Sequence, residues 1–393
     1  MTPAARVQAA IDLLDAVIVA ARTAGASADR VAAEWLRTRR FIGSGDRRAI
    51  RDLVWDAIRV CGPMPAHGRA AMVRLALDDP ALAARFDGSR YGPAPLGPDD
   101  TPALGGVAPD WLVAALGHSG LDHAEQAALV ARAPLDLRAN RLRVTRAELL
   151  AQLPMAAACG PAPDALRLPA GTPVEAWPVY AAGLFEVQDA GSQIAGAALG
   201  VLPGETVVDL CAGAGGKTLA LAAAMDNRGR LIACDIDRAR LARLPARAAR
   251  AGAKVDIRLL DGGREADGLR DLAGRVDAVL VDAPCSGTGT WRRNPEARWR
   301  LTPAALATYA RAQAHVLNLA AALVRPGGRI TFITCSLLDA EGADAVAAFL
   351  ARHPEWRAAD YRGEAGRARG AGWRLTPAHD GTDGFFFANL LRA

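Results

Sequence analysis

The sequence predicts an α/β fold, a parallel sheet covered by helices on both faces, preceded by a small α+β module and an all-helical N-terminal domain. Three observations carry this. Beyond Gly183 the chain repeats short apolar runs (TVVDL, RLIACD, VDIRLL, VDAVLVD, RITFIT), each ended by Asp, Gly or Cys. Continuous apolar strands separated by helices belong to parallel sheets buried on both faces. Residues 1–86 show helical spacing instead, and residues 87–109 are rich in proline and glycine, which sustain neither a helix nor a central strand.

Taken in order, Val7, Ile11, Leu14 and Ile18 share one helical face, as do Ile50, Leu53, Val54, Ala57 and Ile58, with Ser44 the expected N-cap of the second helix. Residues 87–109 are expected to form a linker. Over residues 110–182 short helical and strand-like pieces alternate (PDWLVAALG, LDLRANRLRV, TRAELLAQL), the pattern of a small α+β module. Residues 183–393 then hold the main sheet, whose ligands belong at the carboxyl ends of its strands.

A chain of 393 residues has room for two or three domains. It is 51% hydrophobic, yet no run reaches the roughly 18 apolar residues of a membrane span. Asp12 and Asp15 interrupt the apolar N-terminal stretch, which lacks the layout of a signal peptide. A cytoplasmic protein with no membrane partner is expected. Six cysteines without a C-x-x-C pair fit neither a disulfide scaffold nor a metal site, so no metal is expected. Cys61, Cys159 and Cys234 read as small buried hydrophobes. A net charge of +5 favours a polyanionic partner, although solubility alone accounts for it. Lys217 and Lys254 are the only lysines, which marks Lys217 as a place where arginine's planar fork does not serve. There is no heptad pattern from which to argue association, and a monomer is expected.

TVVDL runs into Cys211-Ala212-Gly213-Ala214-Gly215-Gly216-Lys217-Thr218 and a helix, so a glycine-rich turn presents backbone N–H groups at a helix N-terminus. A phosphate-binding loop would need glycine at Cys211, and a dinucleotide fingerprint would need it at Thr218. What remains is a turn that lets the backbone approach the methionine part of S-adenosylmethionine, with a plain strand-to-helix turn as the alternative. Asp235, at the next strand end, is placed for ribose hydroxyls, and Asp261 for an adenine edge. Each aspartate alone reads equally as a cap or turn residue.

The fourth run ends in Asp282-Ala283-Pro284-Cys285-Ser286-Gly287-Thr288-Gly289 and the fifth in Thr334-Cys335-Ser336, which brings two cysteines to one rim of the sheet. Carbon 5 of cytosine is too weak a nucleophile to take a methyl group unaided. A thiolate adding to carbon 6 makes carbon 5 enamine-like, dividing one hard step into two. Asp282 is suited to the cytosine amino edge or ring nitrogen, with a turn cap as its other reading.

DAPCSGTGTWRRNPEARWR, the TCS followed by Glu341, the CAGAGGKT turn and the terminal GTDGFF resemble the RsmB/NOP/Sun family of RNA (cytosine-5) methyltransferases. The resemblance covers about residues 110–393 and includes RAPLDLRANRLRVTRAELL and FEVQDAGSQIAG. It implies a Rossmann-like class I methyltransferase sheet over residues 183–393, an RNA-binding pre-catalytic module over 110–182 and, more weakly, a NusB-like RNA-binding appendage over 1–86. It also implies S-adenosylmethionine as cofactor, Cys335 as nucleophile and Cys285 as the thiol that assists product release. Cys211, Ala212, Gly213, Ala214, Gly215, Gly216, Lys217, Asp235, Arg240, Asp261 and Asp282 are then the cofactor and substrate residues. Gly213-Ala214 stands where the family has Ala-Pro, and Leu260-Asp261 where it has Gly-Asp, which bears on cofactor affinity.

Trp291, Arg292, Arg293, Arg298 and Trp299 interleave arginine with tryptophan directly after Cys285, as if to hold phosphates and stack splayed bases. Arg37, Arg39, Arg40, Arg47, Arg48 and Arg51 form a second basic patch, read equally as a solvated face. The expected substrate is 16S ribosomal RNA, with transfer RNA as an alternative. A DNA cytosine methyltransferase would use Cys285 as its nucleophile, but the second thiol argues for RNA. A non-catalytic RNA-binding assembly factor would have a broken cofactor turn or missing thiols, whereas both thiols and the acidic residues are present.

Overall fold

Thr2 accepts the Ala5 N–H at 3.2 Å through its hydroxyl, and Pro3 opens α1 (Pro3–Arg22) with its missing donor where none is needed. From there the computed structural model describes every residue except Ala24 and Arg362. It divides into two compact units, residues 1–131 with 290–302, and residues 132–289 with 303–393.

In the first unit α1 packs with α2 (Ala28–Thr38), α3 (Ser44–Val60) and α4 (Gly68–Ala76). The spacing predicted from the sequence is the spacing buried: Val7, Ile11, Leu14, Ile18, Ile50, Val54, Ala57 and Ile58 all lie in one core. Ser44 is a correction, because Gly43 occupies the N-cap position and Ser44 is already helical. Residues 87–109 carry no regular helix or strand and pack within this unit, where Arg69 binds Asp100 at 2.6 Å. Residues 110–131 form two short helices grouped with the same unit, so the α+β module starts near Arg132 and not at Asp110.

The second unit opens with a four-stranded antiparallel sheet of β1 (Leu135–Ala139), β2 (Ala158–Cys159), β3 (Ala165–Leu168) and β4 (Phe185–Val187), in the order β2-β3-β1-β4. Leu137, Leu149, Leu166 and Phe185 form its core. Asp136, buried in β1, takes two hydrogen bonds from Arg167 and one from the Ala190 N–H that begins α5 (Ala190–Ala197).

The large sheet holds nine strands: β5 (Thr206–Asp209), β6 (Arg230–Asp235), β7 (Asp256–Leu259), β8 (Val276–Asp282), β9 (Val324–Thr334), β10 (Trp356–Ala359), β11 (Arg367–Arg369), β12 (Gly372–Leu375) and β13 (Phe385–Arg392). Its order is β11-β12-β13-β9-β8-β5-β6-β7, with β10 also on β13. β5 to β9 are parallel, as the apolar runs predict, but β13 pairs antiparallel with β9 and turns this side of the sheet antiparallel. From β5 the chain moves outward through β6 and β7, then returns to place β8 on the other side of β5. Such a reversal opens a crevice at the carboxyl ends of β5 and β8. α6 (Gly216–Ala224), α7 (Leu244–Ala251), α8 (Pro303–Leu323) and α9 (Ala343–Arg352) are among the helices of this unit. Among the described residues no helix is long and apolar enough to cross a membrane.

Candidate active site

The crevice is a cavity of about 600 Å³, within the range of small-molecule sites. Cys211, Asp235, Arg240, Asp282, Cys285 and Cys335 are among its lining residues. Sequence positions spread over 125 residues therefore meet in one place because they end or closely follow parallel strands, Arg240 in the short helix after β6.

The glycine turn is built by its backbone. Gly213 has φ +54 and Gly215 φ +88, the left-handed region that a side chain disfavours. A Cβ on Gly215 would lie 2.2 Å from Leu244 Cδ1. The Gly213 N–H donates to Asp235 at 2.7 Å, and the other Asp235 oxygen takes the Asp237 N–H at 2.7 Å. Arg247 donates to the Ala214 carbonyl at 2.7 Å while its second nitrogen binds Glu186 of β4, and Arg138 of β1 donates to the Gly216 carbonyl at 2.8 Å. The small antiparallel sheet thus braces the turn from behind. Ala212 donates to the Cys234 carbonyl at 2.9 Å, and of the segment from Cys211 to Lys217 only Cys211 lines the cavity among the described residues.

Lys217 is buried and its ammonium lies 2.7 Å from Asp282 and 5.3 Å from the Phe385 ring centre. Burial, with Asp209, Asp235 and Asp282 nearby, pushes the Cys211 thiol well above its ordinary range. Cys211 is therefore a neutral wall of the cavity.

One expectation moves. Asp261 is exposed and does not line the cavity, because the chain turns outward after Leu260, which does. Glu265 lines it instead, bound to His315 of α8 at 3.1 Å. The sequence gives Glu265 no mark that separates it from a solvated carboxylate. The α8 lining was legible in principle, since Tyr309, Ala312, Val316 and Leu319 recur at helical spacing.

The thiols meet: Cys285 Sγ and Cys335 Sγ are 3.4 Å apart, both partly exposed. Their contact, burial and the Glu341 charge together push the Cys285 thiol well above its ordinary range. The two loops are tied by Gly289 N–H to the Cys335 carbonyl at 2.9 Å and by Thr288 Oγ1 accepting the Leu337 N–H at 2.8 Å. Gly384, in the terminal GTDGFF, donates to the Gly289 carbonyl at 2.8 Å. Cys61 and Cys234 are buried as expected, but Cys159 is exposed on its edge strand.

Trp291, Arg292, Arg293, Arg298 and Trp299 are a correction. Trp291 and Arg298 have no exposed surface, Arg292 and Trp299 are buried, and Trp299 belongs to the core of the helical unit. Arg298 donates to the Ile58 and Cys61 carbonyls at 2.7 Å each, satisfying the C-terminal end of α3. Arg300 does the same for Ala20, Gly25 and Ala26. Arg293 is half-buried in the same segment. The arginine and tryptophan pattern thus serves the packing of the helical unit and presents no stacking platform. In the N-terminal patch Arg37 pairs with Glu34, Arg51 with Asp29, and Arg47 donates to the Ile42 carbonyl, while Arg40 and Arg48 are exposed.

A parallel sheet with a reversed strand order, a glycine turn after β5 and acidic strand ends define a class I methyltransferase. The model of the 16S rRNA methyltransferase RsmB/F family matches residues 197–391, and the chain belongs to that family. A protein described as a probable ribosomal RNA small subunit methyltransferase B from Synechocystis sp. is 36% identical over 299 residues, 72% of this chain and 67% of that one. The ribosomal RNA small subunit methyltransferase B of Klebsiella pneumoniae is 36% identical over 265 residues, 66% of this chain and 60% of its own length. The chain thus spans about two thirds of these relatives. Among solved structures, PH0851 superposes with a TM-score of 0.75 at 23% identity, covering 99% of both chains. A methyltransferase homologue from Pyrococcus horikoshii gives 0.61 at 23%, covering 72% of this chain and 99% of its own. These two show the fold.

Proposed function

We propose that this protein methylates carbon 5 of a cytosine in 16S ribosomal RNA with S-adenosylmethionine, using Cys335 as nucleophile and Cys285 to release product. The observation that carries the reading is the pair of sulfurs 3.4 Å apart on the wall of one cavity. A lone nucleophile would need no second thiol. The relatives named for small-subunit ribosomal RNA supply the substrate class.

The residues suit the cofactor. The cavity has the volume of a small-molecule site, a Cβ on Gly213 would collide with the Arg240 guanidinium that lines it, and Asp235, fixed by two backbone donors, retains lone pairs for a ribose diol. When bound, the cofactor supplies an electrophilic methyl group on a sulfonium. The Cys335 thiolate adds through Sγ to carbon 6, and the ring electron pair moves to carbon 5, which takes the methyl group. Asp282 holds the cytosine edge, with Lys217 fixing its carboxylate. Loss of the carbon 5 proton to a base then lets the carbon 6–sulfur bond break, returning its pair to Cys335. Cys285, kept protonated by its surroundings, is the proton donor beside the departing sulfur.

Wild type, Cys335→Ala and Cys285→Ala are incubated with labelled S-adenosylmethionine and RNA from cells lacking the protein. Expected is no transfer with Cys335→Ala and an accumulating protein–RNA adduct with Cys285→Ala, seen on a denaturing gel. Transfer by Cys335→Ala would sink the nucleophile assignment. Absence of 5-methylcytosine with wild type would sink the activity.

A further inference from the structure

Glu341 lies six residues beyond Cys335, has 1% of its surface exposed and faces no arginine or lysine in any described hydrogen bond or ion pair. Its partners are all neutral donors from three elements. The Cys285 loop gives the Ser286 N–H at 2.9 Å and the Ser286 hydroxyl. The Cys335 loop gives the Ser336 hydroxyl at 2.6 Å, and α8 gives the Gln313 amide at 3.1 Å. Gln313 also donates to the Pro284 carbonyl at 3.0 Å, next to Cys285. Ser336 in turn lies 3.1 Å from the Thr288 hydroxyl. The residues that follow Cys285 and Cys335 are therefore tied to one buried carboxylate.

A buried charge without a counter-ion is costly and is retained where its hydrogen bonds position something. We propose that Glu341 is a positioning residue for the two-thiol reaction, which locks the Cys285 and Cys335 loops in register and gives the two sulfurs unequal roles. This rests on the reading above. It takes two hydrogen bonds from Ser286, next to Cys285, and one from Ser336, next to Cys335, and its charge adds to the forces that hold the proton on Cys285. The titratable groups that line the cavity with that sulfur are Cys335 from the end of β9, Tyr309 and His315 from α8, Cys211, Asp235, Asp237, Arg240, Glu265 and Asp282, the last paired with Lys217. None of these is hydrogen-bonded to both loops among the described residues, as Glu341 is.

Glu341→Gln keeps the size and an acceptor oxygen and removes the charge, and the serine hydroxyls can rotate to accept from its amide. The test alkylates wild type and Glu341→Gln with iodoacetamide across pH and reads each cysteine by peptide mass spectrometry, without RNA. Expected is that Cys285 reacts only at alkaline pH in wild type and about one pH unit lower in the variant. Turnover should fall about tenfold or more, with adduct accumulating. Unchanged alkylation midpoints would overturn the proposal, whatever Cys335→Ala shows about the nucleophile. Where Glu341→Gln does not melt cooperatively, Ser286→Ala and Ser336→Ala each cut one loop's tie and leave the carboxylate. Both should slow turnover, with non-additive costs because they act through one group. Wild-type turnover in both would overturn it.

Discussion

Lys217 Nζ lies 2.7 Å from Asp282 Oδ2, joining the helix after the glycine turn to the end of β8, where Asp282 lines the crevice. The lysine side chain is 10% exposed and the aspartate 33%, so the pair is neither fully buried nor freely hydrated. Removing one partner of a buried pair costs about 3–5 kcal/mol, and screening at Asp282 reduces this to about 1–2 kcal/mol. Lys217→Met should therefore melt a few degrees lower, lose affinity for S-adenosylhomocysteine by calorimetry, and lose more in kcat than in stability. Lys217→Arg should not restore activity, because a planar guanidinium does not fit beside the Phe385 ring in the space of an ammonium. A fully active Lys217→Arg would show the pair to be generic charge balance.

Gly215→Ala addresses the turn itself. The left-handed φ of +88 costs an alanine about 1–2 kcal/mol, and its Cβ would overlap Leu244 Cδ1 at 2.2 Å. S-adenosylhomocysteine affinity should drop about tenfold or more, with the large sheet still folded by circular dichroism. Adding Leu244→Ala relieves the overlap but not the φ, so recovery should be partial. Full recovery would mean that packing alone, and not backbone conformation, shapes the site.

How far these features could be read from the sequence depends on what each signal measures. Apolar runs mark strands, so β5 to β9 are legible, and strand ends place Cys211, Asp235, Asp282, Cys285 and Cys335 on one rim; burial on both faces does not extend to the edge strand β7, where Ile257 and Leu259 are exposed. The antiparallel β13 was not read, although FFFANLL is an apolar run, because a run does not carry its direction. Composition misled at Trp291 to Trp299. Arginine beside tryptophan is the same string whether it faces RNA or caps helix carbonyls, and only burial distinguishes the two. Glu265 was invisible because what makes it a lining residue is the outward turn after Leu260. The role of Glu341 is not legible in its motif, because its donors Ser286 and Gln313 lie 55 and 28 residues away in sequence.

Arg298→Ala separates the two readings of that string. The guanidinium is fully buried, its ordinary basicity lowered to about 10 by burial, and it serves the Ile58 and Cys61 carbonyls. Truncation strands those acceptors at an expected cost of about 2–4 kcal/mol. The variant should unfold earlier in denaturant and expose the end of α3 to hydrogen exchange, with S-adenosylhomocysteine affinity unchanged. A stable variant with weakened RNA binding would restore the RNA-contact reading.

Asp209 makes a prediction about pH. It ends β5 with no exposed surface, and its carboxylate accepts the Thr218 hydroxyl at 2.6 Å. Burial pushes its pKa from 3.8 to about 7, against the pull of the Thr218 hydrogen bond and with the Asp282 charge adding to the rise. Between those values the folded state holds a proton that the unfolded chain releases, so stability falls as pH rises through this window and levels off above it. The penalty at alkaline pH is at most about 4 kcal/mol, the shift of about three units multiplied by 1.36 kcal/mol per unit. Asp209→Asn cannot ionise and should escape that decline. Its extra amide donors, buried beside a side chain that already has one unpartnered oxygen, subtract a roughly constant 1–3 kcal/mol at every pH. The difference between the two proteins should therefore change with pH even where its absolute sign does not. Urea unfolding at pH about 5 and about 8 measures it, with Asn gaining on Asp at the higher pH. Parallel stability curves would mean that Asp209 is already ionised in the folded protein, and that Lys217 compensates its charge through the Asp282 end of the crevice.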